Sequence, residues 1–266
     1  MVGLDLIELA DCVRPEQLVA EVLRQNPQLP VPVPVEELAR CAGISKIEAF
    51  GSSGFEGALI ANDTKSDGHI FYNSHVPRPR QRFTIAHELG HFLLPWHRQL
   101  SFQCSADDIS SRANKDWERE ANQFSAELLM PTVLLKQRLH SSAAFGLSDV
   151  IQVKDEFETS LESTTRRIVE LSESACAVVF SKDNLVRYSI YSKYFQSRLC
   201  VRKGDELPGK SLSRLDTSSL EDWHELDSCL WLEDAKTGLE NPGTLYEQTL
   251  VQDEGYKVTL LAYVSA

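Results

Sequence analysis

Residues 87–91 read His-Glu-Leu-Gly-His, inside a stretch whose apolar residues Phe83, Ile85, Ala86, Leu89, Phe92 and Leu93 recur at helical spacing. Prolines at 77, 79 and 95 bound it, so a helix is expected from about Gln81 to Leu94. On such a helix, positions four apart lie one above the other, so His87 and His91 present both imidazoles on one face. Two imidazoles so placed can share one Zn²⁺ at roughly 2.0–2.1 Å each. Glu88 is beside that face but off the ligand axis, where it can take a proton from a zinc-activated water rather than bind the ion. Gly90 is expected to leave open space beside the metal for a substrate.

A catalytic zinc takes three protein ligands and keeps one position open. His97 lies just past the helix end at Pro95, an awkward place from which to reach the metal, and His69 and His75 precede the helix in a strand and a loop. The stronger candidate is Glu118, on a second long helix expected from Asn114 or Asp116 to about Met130. That helix carries Trp117, Ala121, Phe124 and Leu128 on one stripe and Glu118, Asn122 and Ser125 on the next. Glu118 then completes a His₂Glu set, and Asn122, one turn on, can orient a ligand imidazole. Glu120 is rotated about 200° from Glu118 on an ideal helix and is assigned to a solvated face.

The rest of the chain frames this pair of helices. Its 266 residues suit two or three compact units, with 42% hydrophobic and 25% charged residues, as in a soluble globular protein. A net charge of −12 argues against a general nucleic-acid-binding surface. No segment reaches the roughly 20 apolar residues of a membrane span, and the acidic N-terminus lacks a signal-peptide pattern, so a cytoplasmic location is expected. Six cysteines without a C-x-x-C pair read as reduced thiols. Ahead of the first long helix, helices are expected over 16–25 and 35–43, with strands at 44–50, 57–61 and 69–73. Residues 98–114 read as a loop. Short helices follow over 132–172, two of them around a tight turn at 158–160 in a helix-turn-helix shape. Strands are expected at 175–180, 185–191, 228–232, 244–251 and 257–264.

Two segments, Arg82-Phe83-Thr84-Ile85-Ala86-His87-Glu88-Leu89-Gly90-His91-Phe92 and Glu118-Arg119-Glu120-Ala121-Asn122-Gln123-Phe124-Ser125-Ala126-Glu127-Leu128-Leu129-Met130-Pro131, resemble the ImmA/IrrE family of metallopeptidases. The second is the more diagnostic, because H-E-x-x-H recurs in many unrelated peptidases; Ser125 stands where the family often has Ala. The resemblance runs over about residues 30–131 and continues more weakly through Ser160–Leu171. It implies that Glu118 is the third zinc ligand. It also implies an α+β chain of three parts: a zincin-like metallopeptidase domain at 1–131, a helix-turn-helix domain at 132–172, and a β-rich, GAF-like domain at 173–266. The implied activity is zinc-dependent endopeptidase cleavage of a helix-turn-helix repressor of the XRE type at one site, releasing stress-response or mobile-element genes, with Mn²⁺ as the alternative ion. The competing expectation is a zincin-domain transcription regulator or zinc-responsive binding protein that no longer cuts; an intact Glu88 argues against it.

Three further expectations attach to single features. The strand 69–73 is a candidate edge to which an extended substrate adds by backbone hydrogen bonds. Residues 132–172 hold five basic residues (Lys136, Arg138, Lys154, Arg166, Arg167) against six acids (Asp149, Asp155, Glu156, Glu158, Glu162, Glu170), a balance of −1 and a poor phosphate-binding footprint, so this part is expected to dock a protein substrate rather than DNA. Cys104, between the two ligand segments, is a small buried residue in the simplest reading and a zinc-blocking thiolate in the sharper one.

Overall fold

A computed structural model describes residues 2–51, 54–97, 101–104, 112–139, 145–233 and 244–263, with backbone only at 101–104 and 112–114. The chain divides into two compact units, Met1–Thr132 with Lys154–Ser160, and Val133–Val153 with Leu161–Ala266. The expected helix-turn-helix segment 132–172 is thus shared between the two rather than standing as a unit of its own.

The first unit opens with helices α1 (Leu6–Ala10), α2 (Pro15–Gln25) and α3 (Val35–Ala42). Helix α3 buries Val35, Leu38, Ala39 and Ala42 along one face, and Gly43, at φ 111°, ends it in the left-handed conformation that glycine tolerates. Strands β1 (Ile44–Phe50), β2 (Gly57–Ala61) and β3 (Gly68–Asn73) follow, then α4 (Arg78–Leu93), β4 (Ser101–Cys104) and α5 (Arg112–Leu129). Helix α4 begins three residues before the expected Gln81, because Pro79 is in its first turn, where no backbone donor is needed.

The sheet order is β1-β3-β2-β4, with β1 and β3 parallel and the other pairs antiparallel. Two expectations are corrected here. The 98–114 stretch contains strand β4, paired with β2 so that Gly57 is opposite Cys104. Strand β3 is no edge: β1 occupies one side and β2 the other, so its backbone groups are engaged and no peptide can add there. Cys104 belongs to β4 by its backbone, and its side chain lies outside the described residues.

Helix α4 is enclosed by α3, α5, β2 and β3. Arg82, Thr84 and every residue from Ile85 to Phe92 are buried on it, so beyond its exposed first turn the helix has no solvent face. The core around it includes Leu38, Ile44, Leu59, Ile70, Ile85, Leu89, Phe92, Phe124 and Leu128. Arg82 is one of its tethers, donating to the Val33 carbonyl at 2.9 Å and pairing with Glu158 at 3.6 Å.

Helices α6 (Thr132–Leu139), α7 (Leu147–Phe157) and α8 (Leu161–Leu171) come next. The second unit then builds a five-stranded sheet from β5 (Cys176–Lys182), β6 (Leu185–Tyr191), β7 (Ser219–Leu226), β8 (Leu245–Val251) and β9 (Tyr256–Tyr263), in the order β6-β5-β9-β8-β7 and antiparallel throughout. The expected strand at 228–232 is instead a 3₁₀ turn at Ser228–Leu230, and β7, unforeseen, forms one of the two edges, opposite β6. One part of this unit's core is apolar, centred on Ala177, Val179, Leu261 and Trp231. Another is polar: Lys257 donates to Asn184 at 2.6 Å and to the Ser213 carbonyl at 2.7 Å, and pairs with Asp216, while Glu247 accepts from Ser213 N–H and Thr249. No helix among the described residues is long and apolar enough to cross a membrane.

Candidate metal centre

Helix periodicity places the His87 and His91 rings together on α4, with centroids 4.8 Å apart and Nε2 atoms 3.1 Å apart. Packing of α5 against α4 brings Glu118 to both: its Oε2 is 3.1 Å from His87 Nε2 and its Oε1 is 3.3 Å from His91 Nε2. Three donor atoms bound to one tetrahedral ion at ~2.0–2.1 Å would stand about 3.3–3.4 Å apart. In the triangle of His87, His91 and Glu118 the imidazoles are that close, each meets a different oxygen of the carboxylate, and one atom from each residue lies within 4.8 Å of the others. Among the described residues, His87, His91 and Glu118 are the one His/Cys/Asp/Glu group gathered closely enough for a metal. His69 and His75 do not belong to it.

The side chains around the triangle differ in exposure in a useful way. His87 and His91 are buried, whereas the Glu118 side chain is 39% exposed, so the cluster opens to solvent on the α5 side. Burial opposes charge on His87, but its hydrogen bond to Glu118 and the charges of Glu88 and Glu118 outweigh that and raise it above the ordinary histidine value. Burial prevails at His91 and pushes it down to about 4. Partial burial likewise opposes charge on Glu118, yet the two imidazoles hold its carboxyl well below the usual carboxylate range.

Asn122 Oδ1 is 3.1 Å from His87 Nδ1. If His87 carries its proton on Nδ1 and donates it there, Nε2 is left as a lone-pair donor facing the triangle. Glu88 is fully buried between α4 and the sheet. It is beside β2, where a Cβ on Gly57 would meet Glu88 Oε1 at 3.1 Å and Thr84 Cγ2 at 2.2 Å. Gly57 is therefore what allows the helix bearing Glu88 to lie so close to the strand.

Two expectations change at this site. Gly90 does not open space for a substrate: a Cβ there would be 2.9 Å from the Phe124 ring and 3.4 Å from the Ala121 Cα, so its role is to let α5 approach α4. Glu120 is not on a solvated face but accepts from Trp96 Nε1 at 2.5 Å and lies 2.9 Å from His97 Nε2. His97, set aside as a ligand, is fully buried with its Nδ1 2.9 Å from His91 Nδ1. The sequence signals for this group were a histidine and a tryptophan just past the helix-ending proline, opposite a second glutamate on the ligand helix.

With the geometry in place, comparison with known proteins is informative. Residues 54–169, which contain α4 and α5, match the Peptidase M78 family, described as the IrrE N-terminal-like domain. No curated protein matches. Among solved structures, a Mycobacterium tuberculosis transcriptional regulator aligns over 97% of this chain and 73% of its own, with 11% identity and a TM-score of 0.48.

Proposed function

We propose, from the premise that residues 54–169 are an IrrE N-terminal-like, metallopeptidase-like domain of the Peptidase M78 family, that the chain is a zinc-dependent endopeptidase acting in the cytoplasm on a protein substrate. The observation that carries this reading is the cluster of His87 Nε2, His91 Nε2 and the Glu118 carboxylate, whose two oxygens each meet one imidazole, with Glu88 on the helix that bears both histidines. The donor set, two imidazoles and one carboxylate, is that of catalytic rather than structural zinc. A bound Zn²⁺, or Mn²⁺ in its place, supplies Lewis-acid polarisation of a scissile carbonyl and makes water more acidic.

The protein's own groups would do the rest. His87, His91 and Glu118 hold the ion; Asn122 fixes the His87 ring. Glu88, one residue from His87, takes the proton of the attacking water and passes it to the leaving amine as the peptide bond breaks. The surrounding α4 core keeps bulk water from the buried side of the site. A carboxylate retained there supports an enzyme over a binding-only regulator, since holding metal needs no base.

The narrower part of the proposal is the substrate: a repressor of the XRE type, cut at one position. It rests on the matching segments of the sequence, as does the GAF-like reading of the C-terminal sheet. The test is to incubate the purified chain, with Zn²⁺ or Mn²⁺ and with a chelator, with an XRE-type repressor encoded beside it and to look for one discrete cut. Glu88→Gln should bind metal normally and leave the repressor whole. Full cleavage by that variant would remove Glu88 from the mechanism, and no cleavage by the metal-loaded wild type would leave the non-cutting regulator as the better reading.

A further inference from the structure

The two glutamates of α5 that flank Arg119 address His91 from different sides. Glu118 reaches its Nε2 directly; Glu120 reaches its Nδ1 through His97. The protons along this line can be placed by starting at its far end. An ionised Glu120 only accepts, so the His97 nitrogen 2.9 Å away, Nε2, carries hydrogen and donates. A neutral His97 then has its lone pair on Nδ1. His91 Nδ1, 2.9 Å from that lone pair, must be the donor, and a neutral His91 protonated on Nδ1 has its own lone pair on Nε2, the atom in the triangle.

We propose that His97 and Glu120 are positioning residues that lock His91 in the tautomer able to bind a metal through Nε2. The inference rests on the reading of His87, His91 and Glu118 as a metal site and concerns His91, as the Asn122 contact concerns His87.

The group is held as a unit. Trp96 Nε1 donates to the same Glu120 oxygen at 2.5 Å, and His97 stacks on Trp117, with centroids 5.3 Å apart and planes 28° from parallel. The turn carrying His97 is closed by its own N–H on the Leu94 carbonyl at 3.2 Å. Lys65 Nζ donates to the carbonyls of both His91 and Leu94, at 2.7 and 2.8 Å, tying the ligand and the start of that turn to one ammonium. Each ligand histidine of α4 thus meets a different partner on its far nitrogen, an amide for His87 and a histidine–carboxylate pair for His91. Such partners typically change metal affinity by about 10–100-fold when removed.

The experiment uses the full chain labelled with ¹⁵N, with His97→Phe, which keeps the aromatic stack, His97→Gln, whose amide can both accept and donate, and Glu120→Leu as a second route should His97→Phe not fold. Long-range ¹H–¹⁵N correlation on metal-free protein reads the His91 tautomer; competition against a chromogenic chelator reads Zn²⁺ affinity. The wild type should show His91 protonated on Nδ1 alone, His97→Phe and Glu120→Leu a mixture, and zinc affinity should fall about 10–100-fold in both, recovering in large part in His97→Gln. A single Nδ1–H tautomer retained in His97→Phe or Glu120→Leu, or zinc affinity within about twofold of wild type, overturns the proposal. If the wild type takes up no zinc while its His91 tautomer is still fixed and is lost in the variants, the positioning role stands and the metal reading fails.

Discussion

Gly57 of β2 and Glu88 of α4 are packed so closely that one added methyl group on the glycine would touch the carboxylate at 3.1 Å and overlap Thr84 at 2.2 Å. The strand, not the helix, thereby sets how deep Glu88 can lie. Gly57→Ala should force α4 from the sheet or turn Glu88 aside, destabilising the unit by about 1–3 kcal/mol, as overpacked cores do. Peptidase activity should fall by more than this loss of folded protein explains, with zinc affinity little changed. Thermal denaturation, chelator competition and a cleavage assay on the same preparation separate the three; unchanged activity would show that Glu88 does not depend on this contact.

The ligand and its support should separate in magnitude. Glu118→Gln removes the carboxylate that meets both imidazoles, whereas Asn122→Ala removes only the oxygen 3.1 Å from His87 Nδ1. Zinc affinity should drop about 10–100-fold in Asn122→Ala and further in Glu118→Gln. The check is titration against a chelator of known strength. Equal losses in the two variants would mean that Glu118 is no closer to the metal than Asn122.

A pH effect is expected far from the metal. Burial raises the Glu247 carboxyl above its ordinary value of 4.5, only partly offset by backbone hydrogen bonds at Leu212 and Ser213. The folded protein therefore holds this proton more tightly than the unfolded chain. That contribution to stability is complete below about 4.5 and is lost as pH rises through the folded-state value. Glu247→Gln, which cannot lose a proton, should lose less stability than wild type between pH 4.5 and neutrality. Urea denaturation across that range measures the difference, and parallel curves for the two proteins would contradict it.

The gathering of His87, His91 and Glu118 was legible in the sequence because it follows helix geometry: a spacing of four on one helix, and one stripe of the next set beside a buried one. The strands at 44–50 and 57–61 were legible for the same local reason. What escaped was decided by partners distant in sequence. Glu120 does point away from Glu118, as a 3.6-residue turn requires, but the chain after Leu94 folds back to meet it, so the direction taken for solvent leads to His97. Strand β3 is apolar enough for an edge or a centre, and only the parallel arrival of β1 decides. Ser219–Leu226 is acid-rich and buries no residue fully, without the alternation that marks a strand, while apolar Leu230 and Leu232 belong to a turn region.

Because α4 is buried at every residue from Thr84 to Phe92, that stretch has no face on which a substitution is free. Most helices at a protein surface tolerate change in a rhythm, permissive every third or fourth position. This one should not: in a saturation screen read out by folded yield, residues 84–92 should form an unbroken intolerant band, with α2, half exposed, showing the ordinary beat beside it. Drift in the sequence would then be confined to other parts of the chain, leaving the histidine helix as the segment by which distant copies can still be matched.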